Sequence, residues 1–370
     1  MSIKVALVGC GKIADGHVAE IRKLEKTARL VAVCDSEVLM AEQLASRFRI
    51  PRFYSAFDSL LEREKPDVVH IATPPGSHAQ LAKMAMDAGC HVYLEKPLAP
   101  SHAEAVEIVR YAESRQRKLT VNYTYFFDPP ARLMREIISR GDLGIPVHVE
   151  SVYGYNLAGP FGTAILADPS HWVHQLPGKL FHNNIDHMLN KITEFVSDDS
   201  PTISAHALVL REKRFGDVRD EMEDELRVSI VGETVTAFGL FSSHARPVGH
   251  ICRIWGTKAT MTVDYVARTV IFDHDPKLPS AMGRLLLPFS SAWEYLRAGG
   301  ANVLRFARHD FQFFAGLGEL IRRFYDSVEN DAPLPIAYKD ILRISRMLET
   351  IWSRLAADRE RRRAHGRASS

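Results

Sequence analysis

Val5 to His17 read VALVGCGKIADGH. The run is apolar through Val8 and then gives Gly9, Gly11 and Ala14, the spacing Gly-x-Gly-x-x-Ala. Each small residue has its own physical task. Gly9 permits a tight turn out of a strand, Gly11 lets the backbone approach a pyrophosphate, and Ala14 allows close packing of helix on strand. A helix opening near Lys12 aims free N–H groups at the phosphates. LVAVCD follows and ends at Asp35, 21 positions after Ala14. A carboxylate there binds both ribose hydroxyls of NAD. It also repels the extra phosphate of NADP, and Ser36 brings no compensating cation.

The same alternation continues. IKVALVG, LVAVCD, VVHIAT, HVYLEKP and KLTVNY read as short apolar strands, with helices at 3.6-residue spacing between them (Val18 and Ile21 in the first). Ser101 and Glu104 form a capping box for the helix after Pro97. Continuous apolar strands alternating with helices predict a doubly wound parallel sheet, which binds ligands at the carboxyl ends of its strands. At that end IATPPGSHAQ stops a strand with two prolines and starts a helix near His78, and HVYLEKP delivers Lys96. A partly desolvated lysine exchanges protons near neutrality and stabilises developing alkoxide charge. Its blander role is to bind phosphate or pair with Glu95.

After Tyr123 the texture changes. A helix is predicted over Pro130–Arg140, a strand at VHVESVYGY, a Gly- and Pro-rich loop, and one helix containing Asn183 to Phe195. Thr202 to Phe272 reads mostly as strands joined by tight turns, a large and mainly antiparallel sheet. The chain then turns helical. Leu278 to Phe314 is apolar and carries arginines; it reads as packing against the sheet or a partner subunit, with a membrane-surface role as the alternative. The reading is an α/β protein of three segments: 1–123 dinucleotide-binding, 124–355 substrate-binding and oligomerising, and 356–370 a basic, disordered tail.

Composition is that of a globular protein, with 46% hydrophobic and 25% charged residues among 370 and a net charge of +2. Arg354 to Ser370 carries six arginines and two acids, so the rest is near −2. That balance predicts no nucleic-acid partner, and no apolar run is long enough to span a bilayer. With no signal peptide legible, and Cys10, Cys34, Cys90 and Cys252 widely spaced, the expectation is a cytoplasmic protein with reduced thiols, no disulfide framework, and no membrane partner. No paired-ligand motif points to a metal.

Taken together, these motifs resemble the Gfo/Idh/MocA family of sugar and cyclitol oxidoreductases. The Gly9–Ala14 loop, Asp35, the ATPP segment with His78 and the Glu95–Lys96–Pro97 triplet carry the resemblance. So do GDLGIPVHVE, WGTKATMTVD and LPIAYKDILRI further along. It implies an N-terminal Rossmann domain, a C-terminal α/β domain whose open sheet serves in homo-oligomers (dimer or tetramer), and a cis bond before Pro97. It implies NAD held by Gly9, Gly11, Lys12, Ile13, Ala14, Asp35, Thr73, His78, Glu95, Lys96 and Asn122. The family's second motif, a glycine-rich turn followed by Asp and then His, aligns with PGKLFHNNIDHMLN and places His187 on the histidine and Asn183 on the aspartate. Asn183 orients but carries no charge. Lys179 stands where the family has glycine, and Tyr125 and Phe126 where an arginine is common. Catalysis is thus expected from Lys96, His187 and Asn183, converging on one substrate oxygen. Substrate contacts are expected from these three with Tyr125, Trp172 and Lys179.

The implied reaction is hydride transfer between a sugar-type hydroxyl carbon and nicotinamide. Two alternatives remain: redox-neutral use of tightly held NAD, as in glycoside cleavage or epimerisation, and a non-catalytic dinucleotide-binding protein.

Overall fold

The computed structural model describes residues 2–210, 222–274, 279–308 and 315–368. The chain forms two compact units. One comprises Met1–Phe127 with Phe314–Arg346, the other Asp128–Phe313 with Met347–Ser370.

The first unit is built on a six-stranded sheet of order β3-β2-β1-β4-β5-β6. Its strands are β1 (Ile3–Val8), β2 (Ala28–Cys34), β3 (Arg52–Tyr54), β4 (Val68–Ile71), β5 (His91–Leu94) and β6 (Leu119–Val121). Every pairing is parallel. Five strands are those legible in the sequence. β3 is a three-residue edge strand, too short to show a period. The helices between the strands are α1 (Ala14–Arg22), α2 (Val38–Arg47), α3 (Phe57–Glu64), α4 (His78–Asp87) and α5 (His102–Ser114). The Ser101 hydroxyl accepts the Glu104 N–H at 3.2 Å and caps α5. Residues 315–346 also belong to this unit. The helix Ala315–Asn330 packs against α1, and Lys118 Nζ donates to Ser327 O at 2.5 Å.

The second unit carries a seven-stranded sheet of order β13-β12-β11-β7-β10-β9-β8. Here β7 is Pro146–Gly154, β8 Thr202–Leu208, β9 Glu225–Val231, β10 Thr236–Ser242, β11 His250–Gly256, β12 Ala259–Asp264 and β13 Thr269–His274. All neighbours are antiparallel except β7 and β10. Strict alternation of buried and exposed residues, clearest in β8, leaves one face of the sheet covered and the other open. The helices of this unit are α6 (Pro129–Ser139), α7 (Pro160–Ala167), α8 (Lys179–Asn184), α9 (Asp186–Thr193) and α10 (Ser280–Ala307).

Three expectations are corrected here. The stretch expected as a plain Gly- and Pro-rich loop contains α7. The single helix over Asn183–Phe195 is two helices, α8 and α9, parted at Ile185, and helical structure stops at Thr193. The apolar stripe that suggested one helix is nonetheless buried, with Ile185, Met188, Leu189 and Ile192 all at 0% exposure. The final helix, Tyr338–Ala368, carries the basic tail in helical form through Ala368, and Arg359 is ion-paired to Glu223.

Candidate functional site

Five residues lie side by side along the carboxyl edge of the parallel sheet. The ladder extends one step past the strands: Gly9 N donates to Cys34 O (2.9 Å), Ala72 N to Val8 O (2.8 Å), Glu95 N to Ile71 O (2.9 Å) and Asn122 N to Leu94 O (2.8 Å). Gly9, Asp35, Ala72, Glu95 and Asn122 therefore form one row, with Lys96 next along the chain. Gly9 has φ +92°, and a Cβ there would lie 2.6 Å from the Ala72 carbonyl carbon. Only glycine fits between β1 and β4. Gly11 differs: a Cβ there meets nothing within 4 Å. The open space above it is what a backbone-hugging pyrophosphate requires. Ala14 is fully buried as the first residue of α1, while Lys12 is exposed and Ile13 half-buried.

Asp35 binds the loop it faces. Its Oδ2 accepts the Cys10 N–H at 2.7 Å and its Oδ1 the Glu37 N–H at 3.0 Å, in a half-buried setting. These bonds fix the carboxylate at the β2 end. Burial and the Asp35 charge push the Cys10 thiol up to about 12, so it is no nucleophile at neutral pH. All four cysteines are buried and free. Thr73 Oγ1 accepts from Ser77 Oγ at 2.7 Å. His78 is fully buried. Its Nε2 lies 2.9 Å from Thr73 O and its Nδ1 3.1 Å from Leu98 O, so the ring ties the proline loop to the turn after Lys96. Burial lowers its pKa, opposed by those carbonyls.

Behind Lys96 is an enclosed polar chain. Glu95 Oε1 accepts from His17 Nε2 at 2.8 Å and from Asn122 Nδ2 at 2.5 Å, and Tyr93 OH donates to Asn122 Oδ1 at 2.7 Å. His17 Nδ1 meets His70 Nδ1 at 2.9 Å, and His70 Nε2 meets Tyr325 OH at 2.9 Å. The Tyr93 ring stacks on His70 with centroids 4.4 Å apart. Burial pushes Glu95 up, but the His17 hydrogen bond and charge, the Lys96 charge and the Asn122 amide outweigh it and hold the carboxyl below its usual range. Burial and then His17 drive His70 well below the ordinary imidazole value. An ionised Glu95 only accepts, so His17 Nε2 carries the proton of their contact. The Lys96–Pro97 bond is cis, and Lys96 itself is half-buried. Tyr125 is half-buried in a single 3-10 turn, Thr124–Phe126.

Sequence reasoning placed Glu95 and Asn122 here but assigned no role to His17, His70, Tyr93 or Tyr325. One signal was available: a histidine on the inner face of α1, three residues after Ala14.

The second unit holds the remaining candidates. Asn183, at 7% exposure, lies in the last turn of α8 and His187 in the first turn of α9, so the break at Ile185 falls between them. The His187 ring lies 5.3 Å from that of Tyr153, and its backbone N–H donates to Asp186 Oδ1 at 2.8 Å. Tyr153 stacks in turn on His250 (4.3 Å). Lys191, one turn past His187, is buried with Nζ 4.9 Å from the centre of the Tyr265 ring and 5.6 Å from that of Tyr153. Burial pushes it down to about 8, and it was not singled out in the sequence. Lys179 is exposed and has φ +45°, a conformation that favours glycine. The glycine expected there by resemblance has a backbone reason. Trp172 opens a 3-10 turn, Trp172–Gln175, against the His171 ring. Among the described residues no cluster of three or more His, Cys, Asp or Glu could hold a metal.

A parallel sheet with a glycine turn, a helix N-terminus and an acidic strand end in register defines an NAD-binding Rossmann domain. Residues 3–123 match the Gfo/Idh/MocA family model, described as an oxidoreductase family with an NAD-binding Rossmann fold. Among curated proteins, the D-glucoside 3-dehydrogenase of Escherichia coli K12 is 32% identical over 142 residues, 38% of this chain and 40% of that one. Glycosyl hydrolase family 109 protein 2 of Shewanella sp. strain ANA-3 is 30% identical over 164 residues, 42% of this chain and 36% of that one. The matched region thus spans less than half the length of these relatives. The fold of the whole chain is like that of the WlbA dehydrogenase of Bordetella pertussis, solved with NADH and UDP-GlcNAcA. That TM-score is 0.74 at 18% identity, covering 96% of each chain.

Proposed function

We propose that this protein is an NAD-dependent oxidoreductase that moves hydride between a hydroxyl-bearing carbon of a sugar-type substrate and nicotinamide. The observation that carries the proposal is the single row at the sheet edge: Gly9 and Asp35 for the dinucleotide, Glu95–Lys96 two strands away from the glycine turn. NAD, when bound, supplies the hydride acceptor. Gly11 and the α1 N-terminus hold the pyrophosphate, with Lys12, Ile13 and Ala14 shaping that turn. Asp35 binds the ribose hydroxyls, and Thr73, His78, Glu95 and Asn122 shape the rest of the pocket. Lys96 Nζ takes the hydroxyl proton or steadies the alkoxide, and Glu95, fixed by His17 and Asn122, keeps a counter-charge beside it. His187 is the proton-transfer candidate of the second unit and Asn183 a neutral hydrogen-bonding group; Tyr125, Trp172 and Lys179 are candidate substrate contacts. A cytoplasmic location belongs to this reading. So does self-association through the open sheet face, where Phe238 and Val231 are exposed.

The test is absorbance at 340 nm with purified protein, NAD and a panel of sugars, nucleotide sugars and cyclitols. Turnover of one of them supports the proposal. The likeness to a family 109 glycosyl hydrolase favours a second reading, in which NAD is retained and the net reaction is redox-neutral. Copurifying NAD that does not exchange, with product formed and no net absorbance change, distinguishes it.

A further inference from the structure

Helix α10 is packed the wrong way round for a soluble protein. Its polar and small residues face its own sheet: Ser291 Oγ donates to Asp273 Oδ1 (3.1 Å), Asn302 Nδ2 donates to Ala267 O (2.7 Å), and Gly283 is buried. Its apolar residues face outward. Leu285, Phe289, Trp293, Leu296 and Val303 recur at helical spacing along one side, and each is 65–70% exposed. At 1.5 Å per residue the helix is about 42 Å long, so the exposed stripe is extended. The sequence reading of this stretch as packed against the sheet holds for its polar side only.

Charge discriminates between covers. Residues 280–308 hold Arg284, Arg297, Arg305 and Arg308 against a single acid, Glu294, which is paired with Arg297 at 2.8 Å. A second copy would set one +3 helix against another. An anionic surface is complementary. On a 3.6-residue helical wheel Trp293 and Tyr295 fall on opposite margins of the stripe, with Arg297 and Arg308, both exposed, beyond the first. That is the arrangement of a helix lying in a membrane interface, aliphatic groups down, aromatic rings at headgroup level and arginines at the phosphates. Among the described residues no helix is long and apolar enough to cross a membrane.

We propose that α10 docks the protein onto an anionic lipid bilayer surface, its apolar stripe entering the interface and its arginines binding the headgroups. This takes up the membrane-surface alternative that the sequence left for this stretch, against the expectation of no membrane partner. The inference is independent of the redox chemistry.

The test is flotation of the full chain with vesicles of phosphatidylcholine alone and of phosphatidylcholine with about 30% phosphatidylglycerol. The expected result is at least about tenfold more protein on the anionic vesicles, falling in high salt, with a blue shift of tryptophan emission that is absent in Trp293→Phe. The Phe289→Asp/Leu296→Asp variant should stay behind while its melting temperature is unchanged. Wild-type protein that ignores anionic vesicles, or a double variant that floats equally well, overturns the proposal. So does a wild-type dimer, unable to bind vesicles, that the double variant converts to monomer, because the face then belongs to a second copy.

Discussion

His17 Nε2 and Glu95 Oε1, 78 positions apart in the chain, meet at 2.8 Å with the histidine fully buried. The contact joins the helix after the glycine turn to the residue before Lys96. It makes the dinucleotide loop and the lysine turn one rigid body, backed by His70 and Tyr325. Removing His17 strips a buried carboxylate of a principal partner. His17→Ala should lower unfolding free energy by about 3 kcal/mol, read by chemical denaturation.

Glu95 sets an acid limit on the fold. Its folded pKa lies below the ordinary 4.5. The stability it contributes is therefore complete above that value and is lost as pH falls from there through the lower folded value. Thermal melts from pH 7 to pH 3 should show the loss in wild type and a flatter acid limb in Glu95→Gln.

The two glycines should separate. At Gly9 a Cβ collides with the Ala72 backbone and φ is positive, so Gly9→Ala should cost about 3 kcal/mol of stability. At Gly11 there is room, so Gly11→Ala should change stability by at most about 1 kcal/mol. Its NAD affinity should nevertheless fall by about tenfold or more, because the methyl occupies the approach of the pyrophosphate. Calorimetric titration and melting of both variants check the pair. Equal behaviour would remove the structural distinction.

Lys191 runs opposite to Glu95. Burial lowers it from 10.5 to about 8, against the pull of Cys252, Asp128 and Asp264. Between those values the unfolded chain holds a proton that the native chain has shed, so native stability rises with pH in that window; below about 8 the full desolvation cost is carried. Lys191→Met should be more stable at pH 7 by about 1–2 kcal/mol and should lack the alkaline rise. Denaturation midpoints at pH 7, 8 and 9.5 decide it.

Much of this was legible in the sequence because it is local. The glycine turn, Asp35, the capping box at Ser101 and five of the six parallel strands are encoded within a few residues each. What escaped is long-range or depends on what covers a surface. His17 reads as an ordinary polar residue until His70 and Glu95 are brought to it, with Tyr325 behind His70 from 255 positions away. The break at Ile185 leaves the apolar spacing of Ile185, Met188 and Ile192 intact, so periodicity could not reveal it. In α10 the stripe was visible, but its direction was not, since hydropathy ranks a face without saying which side of the molecule it occupies.

The central claim is that Lys96 moves the proton while NAD receives the hydride. It is tested most directly by 340 nm turnover of wild type and Lys96→Ala on the best substrate of the panel, with NAD affinity measured alongside. The account predicts a rate loss of about 10²–10⁴-fold with NAD affinity changed by no more than about threefold. Turnover of Lys96→Ala at the wild-type rate, or a wild-type protein that does not bind NAD, would contradict it.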